Sequence, residues 1–265
     1  MGRILFQVIF LSVLTQLSFS VFCHPKCQCM WRSGKQTAEC SSAGFQKIPP
    51  GLEPTIQVLD LNRNNFTLLP SNSFGNVGLV NLQRLYLSHC GIEHIDDYAL
   101  NLMSNLVVLD LSYNLISYIP TAAFRHVDKL RRLVLSGNPL VSIPPQAFVD
   151  LKTLIVLEIS NCEIDTIAIR AFEGLENLKV LKLHGNELQT LHATTMTSFK
   201  FLEEITLHGN PWTCDCELRG LRQWLNDNYV LYIPPTCYLP VRLRGKNWED
   251  VNIVDYACAP TFVNT

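Results

Sequence analysis

An asparagine or a cysteine stands at positions 64, 90, 114, 138, 162, 186 and 210, one step of 26 residues followed by five of 24. Steps that regular point away from a single globular centre, because every unit sets its apolar residues in the same frame as the unit before. In the central unit Leu130, Leu133, Leu135 and Leu140 surround Asn138, giving apolar-x-x-apolar-x-apolar-x-x-Asn-x-apolar. Ile56, Leu59, Leu61 and Phe66 fill the frame in the first unit; Leu202, Ile205, Leu207 and Trp212 fill it in the seventh. The alternation around the fourth and sixth positions has the period of a short strand. Each unit can bury its apolar edges only against its neighbours, so the core is a seam running through the array.

This spacing is the signature of a leucine-rich repeat. The expected fold is α/β: a curved solenoid with a parallel β-sheet on its concave face, closed at both ends by disulfide-bonded cysteine caps. The expected division is a signal peptide over 1–20, an amino-terminal cap over 21–50, seven repeats over 51–210, a carboxyl-terminal cap over 211–260 and a tail over 261–265. The Asn side chain turns inward at each strand end, where it can satisfy backbone groups left unpaired by the turn. Cys90 and Cys162 take that slot in two copies. Three repeats apart, they are separated by roughly 14 Å of stacking and are expected to be buried thiols, not a bridge. Ten residues beyond the slot come Phe74, Leu100, Phe124, Phe148, Phe172 and Met196, a register that predicts a stacked aromatic column on the convex side.

The first residues speak to compartment. Arg3, the apolar run from Ile4 to Leu17 and the Ser18-Phe19-Ser20 end read as a secretory signal peptide. A net charge of −2 with both signs dispersed gives no electrostatic case for nucleic acid. Four of the ten cysteines precede the repeats (Cys23, Cys27, Cys29, Cys40), and four follow them (Cys214, Cys216, Cys237, Cys258). In an exported chain such clusters favour bridges over zinc, and spacing alone leaves their connectivity open. Asp215 is placed to cap a helix over about 216–228, with Leu218, Leu221, Trp224 and Leu225 on the face that covers the last repeat.

No HExxH, GxSxG or GxxxxGK[ST] motif occurs, so catalysis, a cofactor and a catalytic metal are not expected. The outward residues of the strands are more telling. Val108, Val134, Val156 and Val180 should form an apolar track open to water, edged by Arg84, Tyr86, Tyr113, Arg132, Glu158 and Lys182. An apolar centre with aromatic and arginine edges has the composition of a protein interface. His184 and His208 share a column on adjacent strands, their rings expected about 5 Å apart. A third metal ligand is not evident beside them. Asn65-Phe66-Thr67 is an acceptor for N-glycosylation on an outward position.

The cap sequence from Cys27-Gln28-Cys29-Met30-Trp31-Arg32 to Cys40 resembles the amino cap of the Kekkon family of arthropod cell-surface proteins. Thr55-Ile56-Gln57-Val58-Leu59-Asp60-Leu61, Leu79-Val80-Asn81-Leu82-Gln83-Arg84-Leu85-Tyr86-Leu87 and Arg244-Gly245-Lys246-Asn247-Trp248 resemble the same family. The resemblance implies pairs Cys23 with Cys29, Cys27 with Cys40, Cys214 with Cys237 and Cys216 with Cys258. It also implies recognition at the cell surface and modulation of receptor signalling, with growth-factor receptors among the partners. Such proteins continue into an immunoglobulin-like domain, a membrane-spanning helix and a cytoplasmic tail, for which these 265 residues hold no counterpart. The expectation is therefore a secreted or extracellular recognition module, without direct membrane insertion as the chain is written and at the cell surface if the natural product continues into a membrane-spanning segment. It is expected to bind an extracellular or cell-surface protein through its concave face to modulate receptor signalling or adhesion. Self-association stays open, and the competing expectation is a structural component of the extracellular matrix.

Overall fold

The computed structural model describes residues 23–256. Seven three-residue strands, Val58–Asp60, Arg84–Tyr86, Val108–Asp110, Arg132–Val134, Val156–Glu158, Val180–Lys182 and Glu204–Thr206, run parallel in one sheet. They are short because the alternation lasts only that long before the Asn/Cys slot turns the chain inward. The middle residue of each, from Leu59 to Ile205, is buried. Pairing is in strict register, Val156 opposite Val180 and Leu157 opposite Leu181, so equivalent residues of successive repeats stack in columns.

The sheet has ten strands, and the caps supply the other three. In the amino cap Gln28–Arg32 and Lys35–Glu39 form a hairpin whose two-residue turn, Ser33-Gly34, has positive φ at both positions. That turn matches the right-handed twist of the strands it joins. Lys35–Glu39 then pairs in parallel with the first repeat strand, Ala38 opposite Leu59. At the far end Leu231–Tyr232 pairs with Glu204–Thr206. The terminal repeats are thus met by hydrogen-bonded neighbours as well as apolar ones.

Inside, the asparagines form a ladder that satisfies both ends of each amide. Asn114 Nδ2 donates to Leu87 O (2.8 Å) and Leu111 O (2.9 Å), while Oδ1 accepts from Cys90 N (2.9 Å) and Ile92 N (3.1 Å). Asn64, Asn138, Asn186 and Asn210 repeat the pattern toward the preceding unit. Cys90 and Cys162 are unpaired buried thiols in the same slot. Cys90 Sγ donates to Leu61 O at 3.2 Å, and burial pushes its pKa up to about 11, so the thiolate is scarce near neutrality.

On the convex side Phe124, Phe148 and Phe172 stack with ring centroids 6.4 Å apart at each step. The column then passes to Phe199, 5.3 Å from Phe172, and not to another ring at Met196, which lies buried in the register. Two extra residues between the first two slots are absorbed around a short 3-10 turn, Gly75–Val77, which leaves the sheet register intact.

Among the described residues the disulfides Cys23–Cys29, Cys27–Cys40 and Cys214–Cys237 hold the ends. Helix Cys216–Asp227 starts where the Asp215 carboxylate accepts from Glu217 N and Leu218 N. Its buried face, Leu218, Leu221 and Leu225, closes the core. Trp212, donating Nε1–H to Leu207 O, meets Trp248 edge-on at 5.4 Å. The expected signal peptide, the tail and Cys258 lie outside the described residues. Among the described residues no helix is long and apolar enough to cross a membrane.

Candidate protein-binding face

The in-register sheet sets its outward side chains in columns. Val58, Arg84, Val108, Arg132, Val156, Val180 and Glu204 form one; Asp60, Tyr86, Asp110, Val134, Glu158, Lys182 and Thr206 form the next. The four valines of the expected track are spread over these two columns. Arg132 separates Val108 from Val156, and Val134 belongs to the neighbouring column, because residues two apart in a strand share a face without sharing a column. All four valines are half-buried, and only Val156 and Val180 are direct neighbours. Val107 and Ile155 also stand half-buried at strand entrances, where other copies carry Gln57, Gln83, Arg131, Lys179 and Glu203. An apolar residue at a position otherwise polar was the signal available for them.

At the centre of this face one carboxylate gathers two cations. Glu158, with only 13% of its side chain exposed, receives Arg132 Nη2 at 2.5 Å and Lys182 Nζ at 3.0 Å. This bridge spans three strands. Arg84 is exposed and Tyr86 half-buried toward the amino end of the face.

The third outward column is a hydroxyl row ending in imidazoles. Ser112 Oγ lies 3.0 Å from Ser88 Oγ and 2.6 Å from Asp110 Oδ1, and Ser136 Oγ accepts from Ser160 N at 3.0 Å. His184 Nδ1 meets Ser160 Oγ (3.0 Å) and Thr206 Oγ1 (2.8 Å), and its ring stacks on His208 with centroids 4.7 Å apart. Partial burial holds the His184 pKa below its usual value, reinforced by His208 and Lys182 and opposed by Glu158. Both hydroxyls address one nitrogen, so the ring is not set between a serine and an orienting carboxylate as a catalytic base requires. Among the described residues no group of three or more His, Cys, Asp or Glu is arranged to hold a metal.

Tyr113 lies elsewhere than expected. It sits one residue before the slot, past the strand end, with φ at 54°, and so points along the flank instead of edging the sheet face. Its ring stacks on His89 at 4.5 Å, the planes 2° apart. A Cβ on Gly137, the equivalent residue of the next repeat, would fall 2.5 Å from that ring. The whole row, Arg63, His89, Tyr113, Gly137, Asn161, Gly185 and Gly209, has positive φ, the conformation glycine tolerates best. Asn65 is exposed, its N–H donating to Phe45 O at 2.8 Å.

Comparison with known proteins bears on these features. Leucine-rich-repeat models match residues 80–140, 128–172 and 153–211, and a further one matches 55–77. Leucine-rich repeat-containing protein 3 of Danio rerio is 36% identical over 110 residues, 41% of this chain and 39% of the relative. Chondroadherin of Homo sapiens is 42% identical over 71 residues, covering 27% and 18%. Chondroadherin-like protein of Mus musculus is 37% identical over 78 residues, covering 29% and 10%. The chain thus spans well under half the length of these relatives. The crystal structure of human 5T4 (Wnt-activated inhibitory factor 1, trophoblast glycoprotein) superposes with a TM-score of 0.66 at 24% identity, covering 89% of this chain and 99% of that one. At that identity the likeness concerns the fold.

Proposed function

The chain belongs to the leucine-rich-repeat family, and from that premise we propose that it is an extracellular recognition module whose concave sheet face binds a protein. The observation that supports this reading is the Arg132–Glu158–Lys182 bridge lying among half-buried valines. Where Glu158 takes both cations, the neighbouring valines present apolar surface at a lower desolvation cost than they would beside unpaired charges. Residues 1–20 act as the export signal, 21–50 and 211–260 as caps and 51–210 as the repeats, with Asn65 carrying a glycan at the amino end. On the Kekkon resemblance, the partner is a cell-surface receptor ectodomain, growth-factor receptors first among them, and binding modulates its signalling.

The test is the double substitution Arg132→Glu with Val156→Glu, measured as binding of the labelled chain to individually displayed receptor ectodomains. Both residues face outward, so secretion should be unchanged. Binding should weaken about tenfold or more, as for an interface anchor. Wild-type binding by a correctly secreted variant would move the interface off this face.

A further inference from the structure

As each strand leaves the sheet, the chain runs along one flank of the solenoid, and there the third and fourth repeats differ from their neighbours. Leu115 and Pro139 stand where the next two repeats carry Glu163 and Glu187, and Val141 stands where the fifth carries Asp165. Tyr113, Leu115, Tyr118 and Val141 are 51, 53, 40 and 49% exposed. Segments 113–121 and 137–145 contain no charged residue. On either side lie acids, Glu93, Asp96 and Asp97 in the second repeat and Glu163 and Asp165 in the fifth, and segments 89–97 and 161–169 contain neither lysine nor arginine.

The aromatic groups of this patch are held in place. Tyr113 lies flat on His89, and the Tyr118 hydroxyl bonds His94 Nδ1, whose Nε2 is 3.2 Å from Asp96. Side chains ordered in advance lose little freedom on contact, which is how rigid aromatics serve as anchors. The next repeat leaves room for the ring: all seven copies of this position have positive φ, and Gly137 beneath Tyr113 has no Cβ to displace it.

We propose that this flank is a second protein-binding surface, separate from the sheet face, and that it takes a partner whose docking surface has an apolar centre edged by lysine and arginine. The acids at both ends supply the complementary charge. A two-fold contact between copies of this chain would set acidic edges against each other, which disfavours a second copy as the occupant.

Two variants of the full chain test it: Leu115→Asp with Val141→Asp, and the charge reversal Glu163→Lys with Asp165→Lys, each first shown to unfold at the wild-type temperature. The probe is the labelled chain, titrated against singly displayed extracellular proteins beside the Arg132→Glu, Val156→Glu variant. The expected result is at least one bound protein that both flank variants weaken by about tenfold or more and the sheet-face variant leaves unchanged. That same complex should weaken between low and physiological salt. Three outcomes overturn the proposal: no displayed protein distinguishing the flank variants from wild type, charge reversal that leaves binding equal or stronger, or a dimer of the chain in sedimentation that Leu115→Asp with Val141→Asp dissolves.

Discussion

Two adjacent positions in every repeat, the Asn/Cys slot and the residue before it, share one turn of chain and obey different rules. The slot is buried, and it takes only asparagine or, twice, a thiol that donates to the same preceding carbonyl. The residue before it has positive φ in all seven copies, yet it is arginine, histidine, tyrosine, asparagine or glycine. Backbone groups that have nowhere else to bond dictate the first position; only a backbone conformation constrains the second. Variation outside is therefore free to carry recognition, and variation inside is limited to what keeps the stack paired.

The contrast is most exposed to failure at Asn138. Asn138→Leu removes donation to Leu111 O and Leu135 O and acceptance from Ile116 N, leaving three buried backbone groups without that partner. At the usual cost of an orphaned buried group, stability should fall by about 3 kcal/mol or more, read from denaturant unfolding. A loss below about 1 kcal/mol would mean that the ladder is not what limits the slot. One residue earlier in the preceding repeat, Tyr113→Gly relieves the backbone and removes one exposed ring stack. The same measurement should move by no more than about 1 kcal/mol in either direction. A large loss would make the outer row structural after all.

A smaller effect concerns His184 in the outer hydroxyl column. Its pKa is lowered in the folded chain, so the unfolded chain binds a proton more readily as pH falls through the ordinary histidine value of about 6.5. The stability it contributes is present above that pH and lost below it. Wild type should therefore lose more thermal stability than His184→Gln between pH 7.5 and 5.5. Equal losses would remove His184 as the source.

The repeat register, the Asn ladder and most of the Phe column were legible because each recurs at a fixed offset, and recurrence is visible in one chain. Features that occur once were not. The Ser33-Gly34 turn and Leu231–Tyr232 extend the sheet into both caps, but neither carries the 24-residue period. Phe199 takes over the aromatic column from outside the Met196 register. On the candidate face, alternation identified which residues point outward, as with Val156 and Arg132. It could not show that Glu158 gathers Arg132 and Lys182, since that depends on side chains crossing from strand to strand. The sign of φ at Tyr113 is not written in its identity, so alternation alone sets it at the sheet edge. Gly137, Gly185 and Gly209 at the same offset were the available clue.

The two thiols in the ladder also have a mechanical consequence. Phe66 N and Leu140 N, which would otherwise donate to a side-chain amide of the following repeat, bond instead to Cys90 O and Asn138 O. Amide cross-links from Asn114, Asn138, Asn186 and Asn210 tie each of their repeats to the one before; at Cys90 and Cys162 the tie is a thiol. Phe66 N still crosses the Cys90 joint, whereas Leu140 N bonds within its own repeat. Pulled from its two ends, the solenoid should part first at the Cys162 joint, dividing into a block bearing the Tyr113 flank and a block bearing the histidine pair.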